Sequence, residues 1–361
     1  MLRDLQRYWR LFRVRTFNRG WDNTWRMIDL RLRMLRYNTP KKMYNFGLIQ
    51  IQKWLRRERL WGMPYRYNID PTNICNLKCP LCPTGLGILK RRKGKMPLEA
   101  YKSLIDQIAP YAYWVELYNW GEPFLHPQIF DMIRYAHERD IFVRMSSNMN
   151  YFDPAMAEKT VASGLDALII SVDGATEATY QKLRRGGQLS RVIENVKSLV
   201  EAKRQAHSRQ PYTTLRMLVH RYNEGEINQV RQLAADLGVD AFTTGTLFVN
   251  VNDQAQVETW LPENEAFSYY DYAAEHLENS WNCADLWEAM IINWDGGVSP
   301  CCWIHNVDHD LDNTFTKSLK TIWNGPAYIS ARRVFALRGP KPPIVSTVCA
   351  ACRGNPKYLD E

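Results

Sequence analysis

The sequence contains no run approaching the roughly 20 apolar residues that a membrane-spanning helix requires, which excludes a helical membrane bundle. It has no internal repeat and no low-complexity tract, so solenoid, collagen-like and disordered classes fall away. No apolar leader with a small-residue cleavage site opens the chain, which is charged from Arg3 onward. A secretory signal is therefore not expected, and a cytoplasmic setting is. In that compartment the eight cysteines read as thiolates for metal rather than as structural disulfides. Acidic residues are scarce in one stretch only. Residues 1–60 carry 16 Lys/Arg against 4 Asp/Glu, while the rest carries 31 against 34.

At 361 residues and 45% hydrophobic, the chain can bury one large core and a satellite unit. Composition divides it into three stretches. Residues 1–62 form a basic, aromatic arm of two or three helices, interrupted only at Gly20 and Asn38-Thr39-Pro40. Residues 63–255 alternate short β-like runs with amphipathic helical runs. Strands are predicted at Tyr65–Ile69, Trp114–Tyr118, Phe142–Ser146, Ala167–Val172, Thr214–Leu218 and Ala241–Gly245, with helices between them. Such alternation indicates parallel βαβ units, and about six of them make a partial (β/α)6 TIM-like barrel, an α/β fold. Residues 256–361 hold the other five cysteines with little apolar periodicity, as a linker and a small unit organised by metal.

The first cysteine set is Cys75-Asn-Leu-Lys-Cys79-Pro-Leu-Cys82, just beyond the first strand. Three thiolates at this spacing can wrap a cubane and leave its fourth iron without a protein ligand. A zinc site or plain buried thiols are the alternatives. Zinc calls for a fourth Cys or His nearby, and none occurs between Asn73 and Gly94.

This motif, followed by Trp120-Gly121-Glu122-Pro123, Ser171-Val172-Asp173-Gly174 and Tyr180-Gln-Lys-Leu-Arg184, resembles the radical S-adenosylmethionine (SAM) superfamily over roughly residues 65–250. The resemblance implies a [4Fe–4S] cluster on Cys75, Cys79 and Cys82 that chelates SAM and cleaves it to a 5′-deoxyadenosyl radical. It implies that Gly121 and Glu122 meet the SAM ammonium, and that Ser147, Asn148, Ser171 and Asp173 meet ribose and carboxylate groups. Arg184 would pair with the SAM carboxylate, with Arg185 as its neighbouring competitor. Leu81 and Leu218 would flank the adenine or serve as plain core. Trp120 stands where the family pattern has a glycine.

The second set comprises Cys283, Cys301, Cys302, Cys349 and Cys352. Asp295-Gly-Gly is a hairpin signal, placing strands at Ile291–Trp294 and Val298–Cys301. Four cysteines in this order resemble the SPASM domain in its truncated, twitch form. The resemblance implies a second, auxiliary [4Fe–4S] cluster on Cys283, Cys349, Cys352 and one of Cys301 and Cys302, the family pattern favouring Cys301, with a four-cysteine zinc ribbon as the alternative. Successive strand residues face opposite sides, so Cys302 is expected to turn away into packing.

The reading is thus a radical SAM enzyme, an oxidoreductase that dehydrogenates a small polar substrate such as a sugar, aminosugar or cyclitol. The auxiliary cluster would accept the electron. A redox-neutral epimerase or a peptide maturase is the alternative. A low-potential donor such as flavodoxin or ferredoxin would supply electrons. The basic arm allows peripheral contact with an anionic membrane surface or an acidic partner through residues 1–60, and no nucleic-acid module is recognised.

Overall fold

A computed structural model describes residues 36–249, 253–268, 283–337 and 339–352. Six strands, β1 (Arg66–Ile69), β2 (Trp114–Glu116), β3 (Phe142–Ser147), β4 (Ala167–Ser171), β5 (Tyr212–Val219) and β6 (Ala241–Thr246), run parallel in sequence order. The intervening helices include Leu98–Ile108, Ile129–His137, Pro154–Ala162, Leu189–Gln205 and Ile227–Asp236. The sheet is the open (β/α)6 barrel expected from the alternation, with element boundaries within about two residues of it.

The hairpin also forms, as β7 (Ala289–Ile292) and β8 (Gly297–Ser299), with a short β9 (Asp312–Asn313) beyond it. It begins two residues before the predicted position, because the turn takes Asn293–Gly296, with Gly296 in the left-handed region at φ 82°. The hairpin is no separate layer. β7 pairs in parallel with β1, in register Arg66↔Ala289, and the sheet runs β6-β5-β4-β3-β2-β1-β7-β8-β9.

Strand alternation decides where the core lies. Val115, Leu117, Val143, Met145, Leu168, Ile170, Leu215 and Met217 face the helices and have no solvent exposure. Each contributes about 1.5–3 kcal/mol on burial. Their neighbours Glu116, Arg144, Ser171 and Leu218 face the barrel interior and stay partly exposed, and Arg216 is exposed. This face is therefore largely polar and partly accessible rather than packed like the helix-facing side. The floor of the barrel, at the first residues of the strands, is an apolar plug of Phe142, Ala167, Tyr212 and Ala241 with Trp114 and Tyr37.

Tyr37 belongs to the described end of the arm. Its hydroxyl donates to Asp166 at 2.5 Å, and Asp166 also accepts from Val143 N at 2.8 Å. Helix α1 (Pro40–Trp54) starts on the Thr39 cap with Pro40 in its first turn. It docks through Asn45, which exchanges 2.8 Å hydrogen bonds with the Met63 backbone. The helices expected over residues 1–35 lie outside the described residues. Among the described residues no helix is long and apolar enough to cross a membrane.

Candidate functional site

The loop leaving β1 carries Cys75, Cys79 and Cys82 across the C-terminal mouth of the barrel and ends in the turn Pro83–Leu86. Close packing fixes it. Cys82 N donates to Cys79 O at 3.2 Å, and Lys78 N to Arg185 O at 2.8 Å. A Cβ on Gly85 would fall 2.4 Å from Cys79 O. Leu77 N points at Cys75 Sγ from 3.5 Å and Asn148 Nδ2 from 3.8 Å, the N–H···S arrangement that steadies a ligating thiolate.

Burial pushes the Cys75 thiol up to about 12, with Glu122, Cys79 and Cys82 adding to the effect. Burial raises the Cys79 thiol as well, so these two hold their protons until a metal displaces them. Among the described residues no three His, Cys, Asp or Glu side chains converge as a single metal ion demands. Three thiols from one loop suit a cluster that keeps one iron free of protein ligands.

Beside this loop, Gly121 passes so near Thr72 that an added Cβ would lie 1.9 Å from its carbonyl oxygen. Only glycine fits there. The next residue, Glu122, is buried and accepts from Ser147 Oγ and Asn148 N, each at 2.8 Å, and from Phe124 N at 3.3 Å. Burial outweighs these donors and pushes its carboxyl up to about 7, so an incoming ammonium would restore its full charge.

Arg184 Nε donates to Asp173 at 2.5 Å, and the other Asp173 oxygen accepts from Leu218 N at 2.6 Å. The guanidinium lies beside the Cys79 thiol, whose upward shift from burial it opposes. Leu81 and Leu218 pack on one small apolar cluster with Leu183, Leu247, Val249, Trp260 and Leu261. The structure so gathers Glu122, Ser147 and Asn148 on one side of the cysteine loop and Asp173, Arg184, Leu218 and Leu81 on the other. Ser171, at the end of β4, faces the lumen opposite Arg216 in register.

In the second set, Cys283 precedes the short helix Asp285–Glu288, and Cys349 and Cys352 bound one helical turn. Burial pushes the Cys301 thiol well up, with Cys302, Cys349 and Cys283 adding to it. Cys349 is raised by burial, then by Cys283 and Cys352. Cys301 thus couples electrostatically to Cys283 and Cys349, and Cys349 to Cys283 and Cys352.

Cys302 departs from expectation. β8 ends at Ser299, so Cys301 and Cys302 lie in a turn where strand alternation does not apply. The Cys302 thiol is pushed up to about 11 by burial and by Asp285, is lowered by Arg66, and acts on Tyr118. It couples with Asp285, Arg66 and Tyr118 as well as with Cys301 and Cys283.

Sequence reasoning missed Arg66, Arg144, Arg216 and Tyr118, which line the lumen. The signal was available in Arg66-Tyr-Asn-Ile69, Phe142-Val-Arg-Met145 and Thr214-Leu-Arg-Met217. In each, a polar residue alternates with core residues, so arginine must point inward.

Residues 69–234 match the radical SAM superfamily, and residues 283–353 match the SPASM iron–sulfur cluster-binding domain. The chain is a radical SAM enzyme with a C-terminal SPASM domain, and its cofactors are SAM and two iron–sulfur clusters. Two relatives span most of it. One is the tungsten-containing aldehyde ferredoxin oxidoreductase cofactor-modifying protein of Pyrococcus furiosus, 24% identical over 74% of this chain and 82% of that one. The other is the PqqA peptide cyclase of Ruegeria pomeroyi, 24% identical over 73% and 74%. Further relatives are matched over less than half their length. In fold the chain is similar to Streptococcus suis SuiB bound to S-adenosylmethionine, with TM-score 0.59 and 17% identity over 79% of this chain and 71% of that one.

Proposed function

We propose that this enzyme is a radical SAM maturase that oxidises a peptide, with [4Fe–4S] clusters on Cys75, Cys79 and Cys82 and on Cys283, Cys301, Cys349 and Cys352. The observation that carries the reading is similarity across about three quarters of both chains to a protein that is by name a peptide cyclase. It moves the substrate from the small sugar or cyclitol expected first to a peptide segment, which a largely polar, partly accessible lumen can admit from the barrel mouth. When bound, SAM and the clusters supply one-electron chemistry. The cluster on Cys75, Cys79 and Cys82 would take an electron from a low-potential donor, SAM would supply the hydrogen-atom acceptor, and the cluster on Cys283, Cys301, Cys349 and Cys352 would take the electron the substrate gives up with its second proton.

The chain's own residues orient and shield. Glu122 holds the SAM ammonium, and Arg184, aimed by Asp173, holds its carboxylate. Leu81 and Leu218 cover the adenine, while Ser147, Asn148 and Ser171 serve the ribose side.

The test is anaerobic turnover with SAM, dithionite and a library of short synthetic peptides, read by mass spectrometry. A peptide lighter by two hydrogens, with one 5′-deoxyadenosine per product, is expected. Unchanged mass in ordinary water, with one deuterium gained when the reaction is run in heavy water, would instead identify an epimerase.

A further inference from the structure

The lumen between the SAM-side residues and the second cysteine set carries an excess of positive charge. Three inward arginines come from three strands, Arg66 on β1, Arg144 on β3 and Arg216 on β5. Two carboxylates face them. Glu116 pairs with Arg144 and accepts from Asn68 Nδ2 at 3.3 Å, and Asp285 pairs with Arg66. Arg216 is left over, and its side chain makes no hydrogen bond or ion pair among the described residues.

The paired arginines are not saturated either, since Arg66 Nε and Arg144 Nε are buried without a partner. Burial, then the proximity of Arg216 and Arg66, pushes the Arg144 guanidinium down to about 10, which registers the crowding of like charge. Buried donors without acceptors are costly and persist where a ligand completes them.

The Arg216 position is also built. Gly245 on β6 lies against it, and a Cβ there would fall 2.9 Å from both Nε and Nη2 of the guanidinium and 3.0 Å from Leu218. Arg216 is exposed to the lumen, whereas the alternate residues of β5 are buried. Tyr118, just past β2, is influenced by Arg216, Cys302 and Arg66 together. The cationic layer thus lies between the SAM-side residues above, the apolar plug below and Cys302 at its side.

We propose that this layer is a receptor for a carboxylate carried by the substrate, gripped by the free fork of Arg216 and backed by Arg144 and Arg66. A planar carboxylate matches an arginine fork with two parallel N–H···O bonds. It also supplies the negative charge that the layer lacks. Anchored there, an acidic side chain would hold its own neighbouring carbons under the SAM-side residues, so the site selects what is oxidised. The inference rests on the proposed radical reading only in that the lumen receives the substrate.

The test is calorimetric binding to the full-length protein, loaded anaerobically with clusters and SAM. The probes are acetyl-Ala-Glu-Ala-amide, acetyl-Ala-Gln-Ala-amide, glutarate and inorganic phosphate. The Glu peptide should bind roughly ten to a hundredfold more tightly than the Gln peptide, the span expected for one charged hydrogen-bonded pair. Arg216→Gln should erase that preference while iron content and melting temperature hold, and Arg216→Lys should keep part of it. Equal binding of the two peptides, or a preference that survives Arg216→Gln, would overturn the proposal. Phosphate displacing the Glu peptide better than glutarate does would overturn the carboxylate assignment. Glutarate bound through Arg216 while neither peptide binds would support the receptor and defeat the peptide reading of the function.

Discussion

Asp70 follows β1 with a buried carboxyl that has no hydrogen-bond partner on either oxygen. The backbone amides of Trp120, Gly121 and Thr72 face it without completing a bond, and burial pushes it up to about 8 from an ordinary value of 3.8. A protonated Asp70 therefore stabilises the fold fully below the unfolded value. That contribution falls away as pH rises through about 8. Asp70→Asn stays neutral throughout, so its melting temperature should gain on that of the parent between pH 5 and 8. Parallel melting curves across that range would refute this role. Nothing in the sequence singled out Asp70, because a lone Asp after a strand looks like a turn residue. Gly121, Glu122 and Arg184 were legible, since their spacing from the cysteine loop is a pattern. That Arg184 is aimed by Asp173 was not legible, because the two meet only through the turn after β4.

At the level of elements, the segment after the cysteine loop and the β7–β8 hairpin are locked together. Arg91 is only 3% exposed and donates to both oxygens of Asp295 at 2.6 and 2.7 Å and to both of Asp310 at 2.7 Å. Ser299 Oγ adds a bond to Asp310 at 3.0 Å. Trp294 Nε1 donates to Arg92 O at 3.0 Å, and Gly94 lies against the Trp294 ring, where a Cβ would meet it at 2.3 Å. Removing one member of a buried ion network leaves uncompensated charge, so Arg91→Ala should cost about 3–5 kcal/mol in denaturant unfolding. A loss under about 1 kcal/mol, the scale of a surface pair, would show that the lock is not structural.

The same segment marks where sequence reading ran out. Leu89-Lys-Arg-Arg-Lys-Gly-Lys95 reads as a solvated charge run, and only tertiary packing buries its second cation. The strands were legible because the helix-facing residues repeat with period two beside helical runs. The joining of β7 to β1 was not, since parallel pairing between segments more than 200 residues apart leaves no local trace.

Across the whole molecule, function follows one axis. Glu122 and Arg184 lie by the cysteine loop at the mouth of the barrel, the inward arginines stand on the strands below it, and the cluster around Tyr37 lies at the strand starts. As proposed above, the two clusters are held by two separate sets of thiols, and metal analysis tests this most directly. Anaerobically reconstituted full-length protein should hold about eight iron and eight sulfide. Changing Cys75, Cys79 and Cys82 together to Ala should leave about half the iron and abolish 5′-deoxyadenosine formation from SAM. Stoichiometric zinc in place of iron, or a triple variant that keeps all its iron, would contradict it.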